Sequence, residues 1–339
     1  MNTPSAPQHD QDDLLMNGQE TVTPLRLGTR RSALAMAQSG MVAEEVAKVT
    51  GRRVELVEIT TYGDVSRESL AQIGGTGVFV SALRDALLEG RIDLAVHSLK
   101  DLPTAAPPGL LLAAVPERED VRDALVARGG LTLAELVAGA GGRTVRVGTG
   151  SPRRMAQLNA WARARGADLD TVPIRGNVDT RITYVTSGEL DAVVLATAGL
   201  NRLGRSAEIT EHLDTALMLP APGQGALAVE CVDPTLAAVL ARLDHRPTRA
   251  AVVAERALLA TLEAGCSAPV AALATWAGTE LRLNGAVGTT DGVELLKMSA
   301  TGPLVPDETA EEQAAALGRA LATRLLDTGA ADLMGERAR

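Results

Sequence analysis

A set of cations, hydroxyls and one carboxylate falls just beyond the ends of short apolar segments, where a side chain can meet a ligand. Arg30 and Arg31 follow residues 25–28 (LRLG), and Ser98, Lys100 and Asp101 follow residues 92–97 (IDLAVH). Thr149, Ser151, Arg153 and Arg154 follow residues 145–148 (VRVG), and Arg175 follows residues 169–174 (LDTVPI) with Arg181 close behind. Arginine at a helix start gains nothing from the helix dipole, whose N-terminal end is already positive. The placement makes sense if an anion comes to these residues, and guanidinium forks suit carboxylates as well as phosphates. Phosphate fits less well. The stretch GTGSPRR lacks the Gly-Lys-Ser/Thr ending of a P-loop, a bare GTG is a weak dinucleotide signal, and no acidic residue stands convincingly at a ribose position. A ligand with several carboxylates fits better.

Asp101 is the one carboxylate among these cations. It either pairs with Lys100 or a nearby arginine, stabilises a cation that develops on the ligand, or moves a proton. His97 points from a buried segment and reads as a hydrogen-bonded core histidine. Phe79, the only phenylalanine, fills the core or touches a ring-bearing ligand. The chain has two cysteines, which give neither a disulfide framework nor a zinc quartet, so no metal is expected and a reducing cytoplasm is the default. Cys231, inside ALAVEC, reads as a small buried residue. Cys266 follows a glycine between a helix and a strand. Its type alone leaves open a buried filler, half of a disulfide, a nucleophile or a covalent anchor.

The elements that must position these residues alternate. Residues 25–28 predict a strand, and a helix follows with Ser32 as N-cap and Gly51 just past its end. Residues 53–59 predict a strand, residues 77–90 a helix closed by Gly90, and residues 92–98 a strand covered on both faces. The pattern then repeats: VRVGTGSPRRMAQL echoes LRLGTRRSALAMAQ, and SGELDAVVLAT echoes EGRIDLAVHSL. Two α/β domains of related design, each on a mostly parallel sheet, are expected. The strand in LPAPGQGALAVECV and the helix after it are too few to stand alone and are placed back against the first domain. The chain thus crosses twice and makes a hinge. A long helix near residues 248–265, three short strands with TTDG as a hairpin turn, and a final helix over residues 309–326 make a small α+β unit.

The expected division is a disordered acidic tail over residues 1–24, a first domain of residues 25–118 and 225–245, a second of residues 119–220, and a third of residues 247–339. The net charge of −9 and an aromatic content of 1% speak against a nucleic-acid binder. No apolar run approaches the ~18 residues of a membrane span, and the tail lacks the features of a signal peptide.

In this order, LGTRRSALAMAQ, AVHSLKDLPT, EREDVRDALV, VGTGSPRRMAQL, RGNVDTR, LATAGLNRLG, LPAPGQGALAVEC and LEAGCSAPVAA resemble the porphobilinogen deaminase (hydroxymethylbilane synthase) family over roughly residues 25–302. The resemblance implies two hinged, periplasmic-binding-protein-like α/β domains plus a small C-terminal α+β domain with a three-stranded sheet. It implies a transferase that joins four porphobilinogen units head to tail with release of ammonia, then frees the linear tetrapyrrole with water. The growing polypyrrole chain hangs from a dipyrromethane cofactor tied by a thioether to a cysteine, which by motif is Cys266. Asp101 is the implied catalytic residue. Lys100, Arg153, Arg154, Arg175 and Arg181 match cofactor-binding residues, with Ser98, Thr149 and Ser151 in the same motifs. Arg30, Ser32, Phe79, Arg202 and Gln224 are assigned to the substrate. A cytoplasmic monomer with no nucleic-acid or membrane partner is expected.

The chain departs from the family at Tyr62, Gln72 and Thr76, where basic residues are common, so a loop cover held by hydrogen bonds rather than charge is expected there. Two other readings compete: a non-catalytic, periplasmic-binding-type ligand-binding module, and a degenerate homologue that binds precursors without turnover.

Overall fold

Strands alternating with helices, several of the strands buried on both faces, build two sheets of the same design. The computed structural model describes residues 23–60, 77–105, 107–265, 268–305, 307 and 309–334. Its first part runs β1 (Leu25–Thr29), α1 (Ala33–Thr50), β2 (Val54–Glu58), α2 (Gly77–Leu88), β3 (Leu94–Ser98) and β4 (Leu111–Ala114). The second runs β5 (Asp123–Ala127), α3 (Leu133–Ala138), β6 (Val145–Gly148), α4 (Pro152–Arg165), β7 (Leu169–Val172), α5 (Val178–Thr186), β8 (Ala192–Ala196), α6 (Thr197–Arg202) and β9 (Glu211–Leu213). Then come β10 (Leu227–Cys231), α7 (Pro234–Leu240), α8 (Arg246–Thr261), β11 (Val270–Ala277), β12 (Glu280–Gly288), β13 (Leu295–Pro303), α9 (Ala310–Asp327) and α10 (Ala330–Leu333).

The first sheet has the order β2-β1-β3-β10-β4 and the second the order β7-β6-β8-β5-β9. In each, a strand lies between two parallel neighbours, and the fourth strand runs antiparallel to both of its own. The internal echo in the sequence is therefore an echo in topology. The chain passes from the first sheet to the second between β4 and β5, and back between β9 and β10. β5 escaped the sequence reading because DALVA is short and entirely buried, with no alternation to mark it.

Local signals act as expected at α1. Ser32 accepts from the Ala35 N–H at 3.4 Å, and Gly51, at φ 68°, closes the helix by donating to Ala47 O at 2.9 Å. The third unit is an antiparallel sheet, β11-β12-β13, under α8 and α9, with Leu258, Leu281, Leu283, Leu321 and Leu325 fully buried between them. The two helices meet so closely that a Cβ on Gly318 would stand 2.3 Å from Ala254 O. No described helix is long and apolar enough to cross a membrane.

Three regions converge on one buried pair. Arg118, between β4 and β5, donates to both oxygens of Glu255 on α8 at 2.7 and 3.0 Å. Glu255, with no exposed surface, also accepts from the Gly223 and Ala274 N–H groups at 2.7 and 2.9 Å. Both passages between the sheets are thus fastened to the third unit.

Candidate active site between the two sheets

β3 ends in Ser98 and passes into a single turn of 3-10 helix, Leu99–Asp101. The Ser98 hydroxyl is 3.2 Å from the amide nitrogen of buried Gln38 on α1. Leu99 and Leu102 are buried and tie the turn down, while Asp101 is exposed. Lys100 is half-buried, with its Nζ 3.5 Å from Gln224 Oε1. Burial above all, opposed by Asp101 and reinforced by Arg154, brings its pKa down to about 8.

The facing wall is the start of α4. The Thr149 hydroxyl, fully buried, accepts from the Ser151 N–H at 3.2 Å and so closes the turn before the helix. Ser151 occupies the N-cap position with no capping bond from its side chain. Arg153 and Arg154 follow, 4% and 5% exposed, and both are turned onto Asp123 at the start of β5. Arg153 Nη1 donates to Asp123 Oδ2 and to Leu219 O, each at 2.7 Å. Arg154 donates to Asp123 Oδ1 from Nη2 at 2.7 Å and from Nε at 3.1 Å, and to Val194 O at 2.8 Å. Burial alone would raise the Asp123 pKa, but the two guanidinium groups hold it well below the usual carboxylate range. Arg153 Nε is buried with no hydrogen-bond partner among the described residues.

Gln224 bridges the two walls. Its side-chain nitrogen donates to Asp123 Oδ1 at 3.0 Å and to Val121 O at 2.8 Å, while its side-chain oxygen faces Lys100. It is fully buried, so it sits in the frame of the site rather than on its surface.

Arg175 and Arg181 complete the cation set from the β7–α5 connection. Arg175 is exposed; Arg181 is half-buried and donates from Nε to Gly176 O at 2.9 Å. Burial, then the neighbouring Arg154 and Arg175, lower the Arg181 pKa to about 10 against the opposing pull of Asp101. One guanidinium on the second sheet's side thus feels both Arg154 and the carboxylate carried by the first sheet. Arg202 donates to Gly225 O at 2.6 Å, and burial lowers its pKa. Arg30 is half-buried directly after β1, and Ser32 caps α1.

Lys100, Asp101, Arg153, Arg154, Arg175 and Arg181 therefore come together, and Thr149, Ser151 and Gln224 shape their surroundings. Cys266, Tyr62, Gln72, Thr76 and the side chain of Phe79 lie outside the described residues. His97 is a core residue: its Nε2 stands 3.2 Å from Glu230, whose oxygens accept from Arg84 at 3.0 and 2.7 Å. Burial would raise the Glu230 pKa, but His97 and Arg84 hold it at about 2. Sequence reasoning missed Asp123 as the partner of both arginines. The available signal was a charged residue opening a fully apolar strand, since Lys, Arg, Asp and Glu are almost never buried unpaired.

Among the described residues of this cleft, the cations outnumber the carboxylates. Five of them (Lys100, Arg153, Arg154, Arg175 and Arg181) stand against Asp101 and Asp123. With the orphaned Arg153 Nε, the cleft suits an incoming ligand with several carboxylates.

A family model described as porphobilinogen deaminase, dipyrromethane cofactor binding domain, matches residues 25–239, and one described as porphobilinogen deaminase, C-terminal domain, matches residues 249–327. Porphobilinogen deaminase 1 of Streptomyces avermitilis is 68% identical over 320 residues, covering 92% of this chain and 98% of that one. Porphobilinogen deaminase of Nocardia farcinica is 55% identical over 332 residues, covering 95% of this chain and 91% of that one. Among solved structures, a probable amino-acid ABC transporter extracellular-binding protein, YtmK of Bacillus subtilis, aligns with 66% of this chain and 90% of its own at 11% identity, with a TM-score of 0.39.

Proposed function

The chain belongs to the porphobilinogen deaminase family, and on that footing we propose that it condenses four porphobilinogen units head to tail, releasing ammonia at each step and freeing the linear tetrapyrrole hydroxymethylbilane with water. It is a transferase of porphyrin biosynthesis. The observation that carries this reading is the surplus of cations around one exposed carboxylate, Asp101, between the two sheets. Each porphobilinogen brings an acetate and a propionate, so a lengthening product accumulates negative charge that this cleft offsets.

The residues present fit a dipyrromethane. Lys100, Arg153, Arg154, Arg175 and Arg181 would hold its carboxylates, beside Ser98 and Ser151, with Thr149 bracing the turn. Cys266 would anchor it through a thioether. When bound, the cofactor supplies the covalently held pyrrole to which substrate units are added. Asp101 does the work on the chain's side: its carboxylate accepts hydrogen bonds from pyrrole N–H groups and stabilises the positive charge left on porphobilinogen as ammonia departs. Arg30, Ser32, Phe79 and Arg202 are assigned to the substrate side. Gln224 acts through Lys100 and Asp123, which it holds in register.

We divide the chain into residues 25–118 with 225–245, residues 119–220, and residues 247–339; the return of β10 to the first sheet supports this division. A cytoplasmic monomer belongs to the same reading; the presence of only two cysteines supports its reducing compartment. Family membership sets aside the ligand-binding-module alternative.

The test is the intact mass of protein purified from cells that make porphobilinogen, together with its turnover of porphobilinogen. A mass exceeding the polypeptide by two linked pyrrole units, lost in Cys266→Ala, is expected. A bare polypeptide mass with no porphobilinogen consumed would sink the reading.

A further inference from the structure

The turn that carries Lys100 and Asp101 has little support of its own. It is three residues long and closed by one internal backbone bond, from the Leu102 N–H to Leu99 O at 3.1 Å. Runs of 3-10 helix have poorer hydrogen-bond geometry than α-helix, and two of the residues here are charged. The other contacts come from outside. The Leu99 N–H donates to Ala226 O at 3.0 Å. A three-point contact comes from the third unit.

Arg256, on α8, spreads its guanidinium over three carbonyls of this segment. Nη1 donates to Leu102 O at 2.8 Å and to Leu99 O at 3.4 Å, and Nη2 donates to Pro103 O at 2.7 Å. One turn earlier on the same face, Val252 packs in one buried cluster with Leu99 and Leu102. The neighbouring Glu255 grips Arg118 and the Gly223 N–H, next to the Gln224 that touches Lys100. Two consecutive residues of opposite charge on α8 thus hold the segment that carries Lys100 and the one that carries its partner Gln224.

We propose that Arg256 is a positioning residue for Asp101. Its planar fork fixes the backbone of residues 99–103, and so fixes where the Asp101 carboxylate stands relative to the cations of the facing wall. Arg256 acts through the turn and not on substrate. The geometry also gives the third unit a part in the reaction beyond carrying Cys266: the helix that ends at Thr261, five residues before that cysteine, is the one that grips the aspartate's turn. The proposal rests on the reading of Asp101 given above.

The experiment compares wild type, Arg256→Ala, Arg256→Lys and, as a control, Arg249→Ala. Arg249 lies on the same helix and donates to Asp244 and Leu112 O, away from the turn. Amide hydrogen exchange over residues 99–103 and steady-state turnover of porphobilinogen by the holoenzyme are both measured. Arg256→Ala should raise exchange in that segment and lower kcat roughly ten- to hundredfold, the scale of a misplaced reacting group. KM should change less than kcat, and the intact mass should retain the adduct. Arg256→Lys, which keeps the charge but not the fork, should recover part of kcat and serves if the alanine variant does not fold. Arg249→Ala should leave exchange at residues 99–103 as in wild type. Unchanged exchange in Arg256→Ala, or raised exchange with unchanged kcat, overturns the proposal. Absence of both adduct and turnover in wild type would instead overturn the functional reading, while the exchange data would still decide whether Arg256 holds the turn.

Discussion

Arg153 donates to Asp123 at 2.7 Å with neither side chain open to solvent, and Arg154 reaches the other oxygen of the same carboxylate at the same distance. One buried acid therefore orients two buried bases, and Gln224 adds a third hold on it. Two guanidinium groups on one carboxylate leave positive charge over, which is the state a polycarboxylate ligand requires of its receptor.

Replacing that acid should be costly. Asp123→Asn keeps the shape but strands two arginines, and breaking a buried pair in this way costs about 3–5 kcal/mol. Glu45→Gln, which removes the exposed pair with Lys48, should leave stability almost unchanged, because solvent screens such a pair. Urea unfolding of the two variants measures both. The Asp123 carboxyl titrates lower when folded than its ordinary 3.8, so its stabilisation is complete above that value and is lost as the pH falls through the depressed one. The gap between wild type and Asp123→Asn should thus stay flat from about pH 8 to about pH 5 and close only in stronger acid. A gap that narrowed between those two points would show that the carboxylate is not held low.

The chain has three lysines, Lys48, Lys100 and Lys297, and they should titrate apart. In cofactor-free protein, reductive methylation with labelled formaldehyde gives each a separate NMR signal. Lys100 should lose its charge near pH 8, Lys297 below the ordinary 10.5, and exposed Lys48, hydrogen-bonded to Glu45, above it. Lys100→Arg assigns the first signal. Because the folded form binds the Lys100 proton less tightly than the unfolded chain, the cost of burying it is present below pH 8 and is relieved as the pH rises from about 8 toward 10.5. Anions that fill the cleft should move the Lys100 midpoint upward, with proton uptake on binding above that pH.

The two cysteines should behave as different chemical species. Cys231 is fully buried, and burial first, then Asp233 and Glu230, raises its thiol pKa to about 11. Iodoacetamide at neutral pH should leave it unmodified in the native protein. Cys231→Ala should keep the added mass of the holoenzyme, and Cys266→Ala should lose it. Mass spectrometry of the two variants decides, and an adduct that followed Cys231 would reassign the anchor.

Asp101→Asn tests the catalytic assignment without confounding stability. The side chain is exposed, so the free energy of unfolding should change by no more than about 0.5 kcal/mol. Turnover should fall by about 10²–10⁴-fold, the range for a positioned acid–base or charge-stabilising group, while the adduct stays. Wild-type turnover in this variant would remove Asp101 from the mechanism.

Local sequence determined most of the elements, though not the short buried β5, and some of their ends. A serine three residues before an amide that needs a partner caps α1, a glycine at positive φ ends it, and uninterrupted apolar runs mark β3 and β8 as strands covered on both faces. The same reasoning placed Lys100, Asp101, Arg153, Arg154, Arg175 and Arg181 beyond strand ends, and ordered motifs over most of the chain resembled one family. Only the tertiary structure decided what those cations face. Asp123 lies 30 residues from Arg153, Gln224 lies 101 from Asp123, and Arg256 lies 154 from Leu102. Periodicity reports on neighbours within a turn or a strand, whereas these partners meet only once the antiparallel β5 and β10 are threaded into their sheets and α8 is laid across the passages between them.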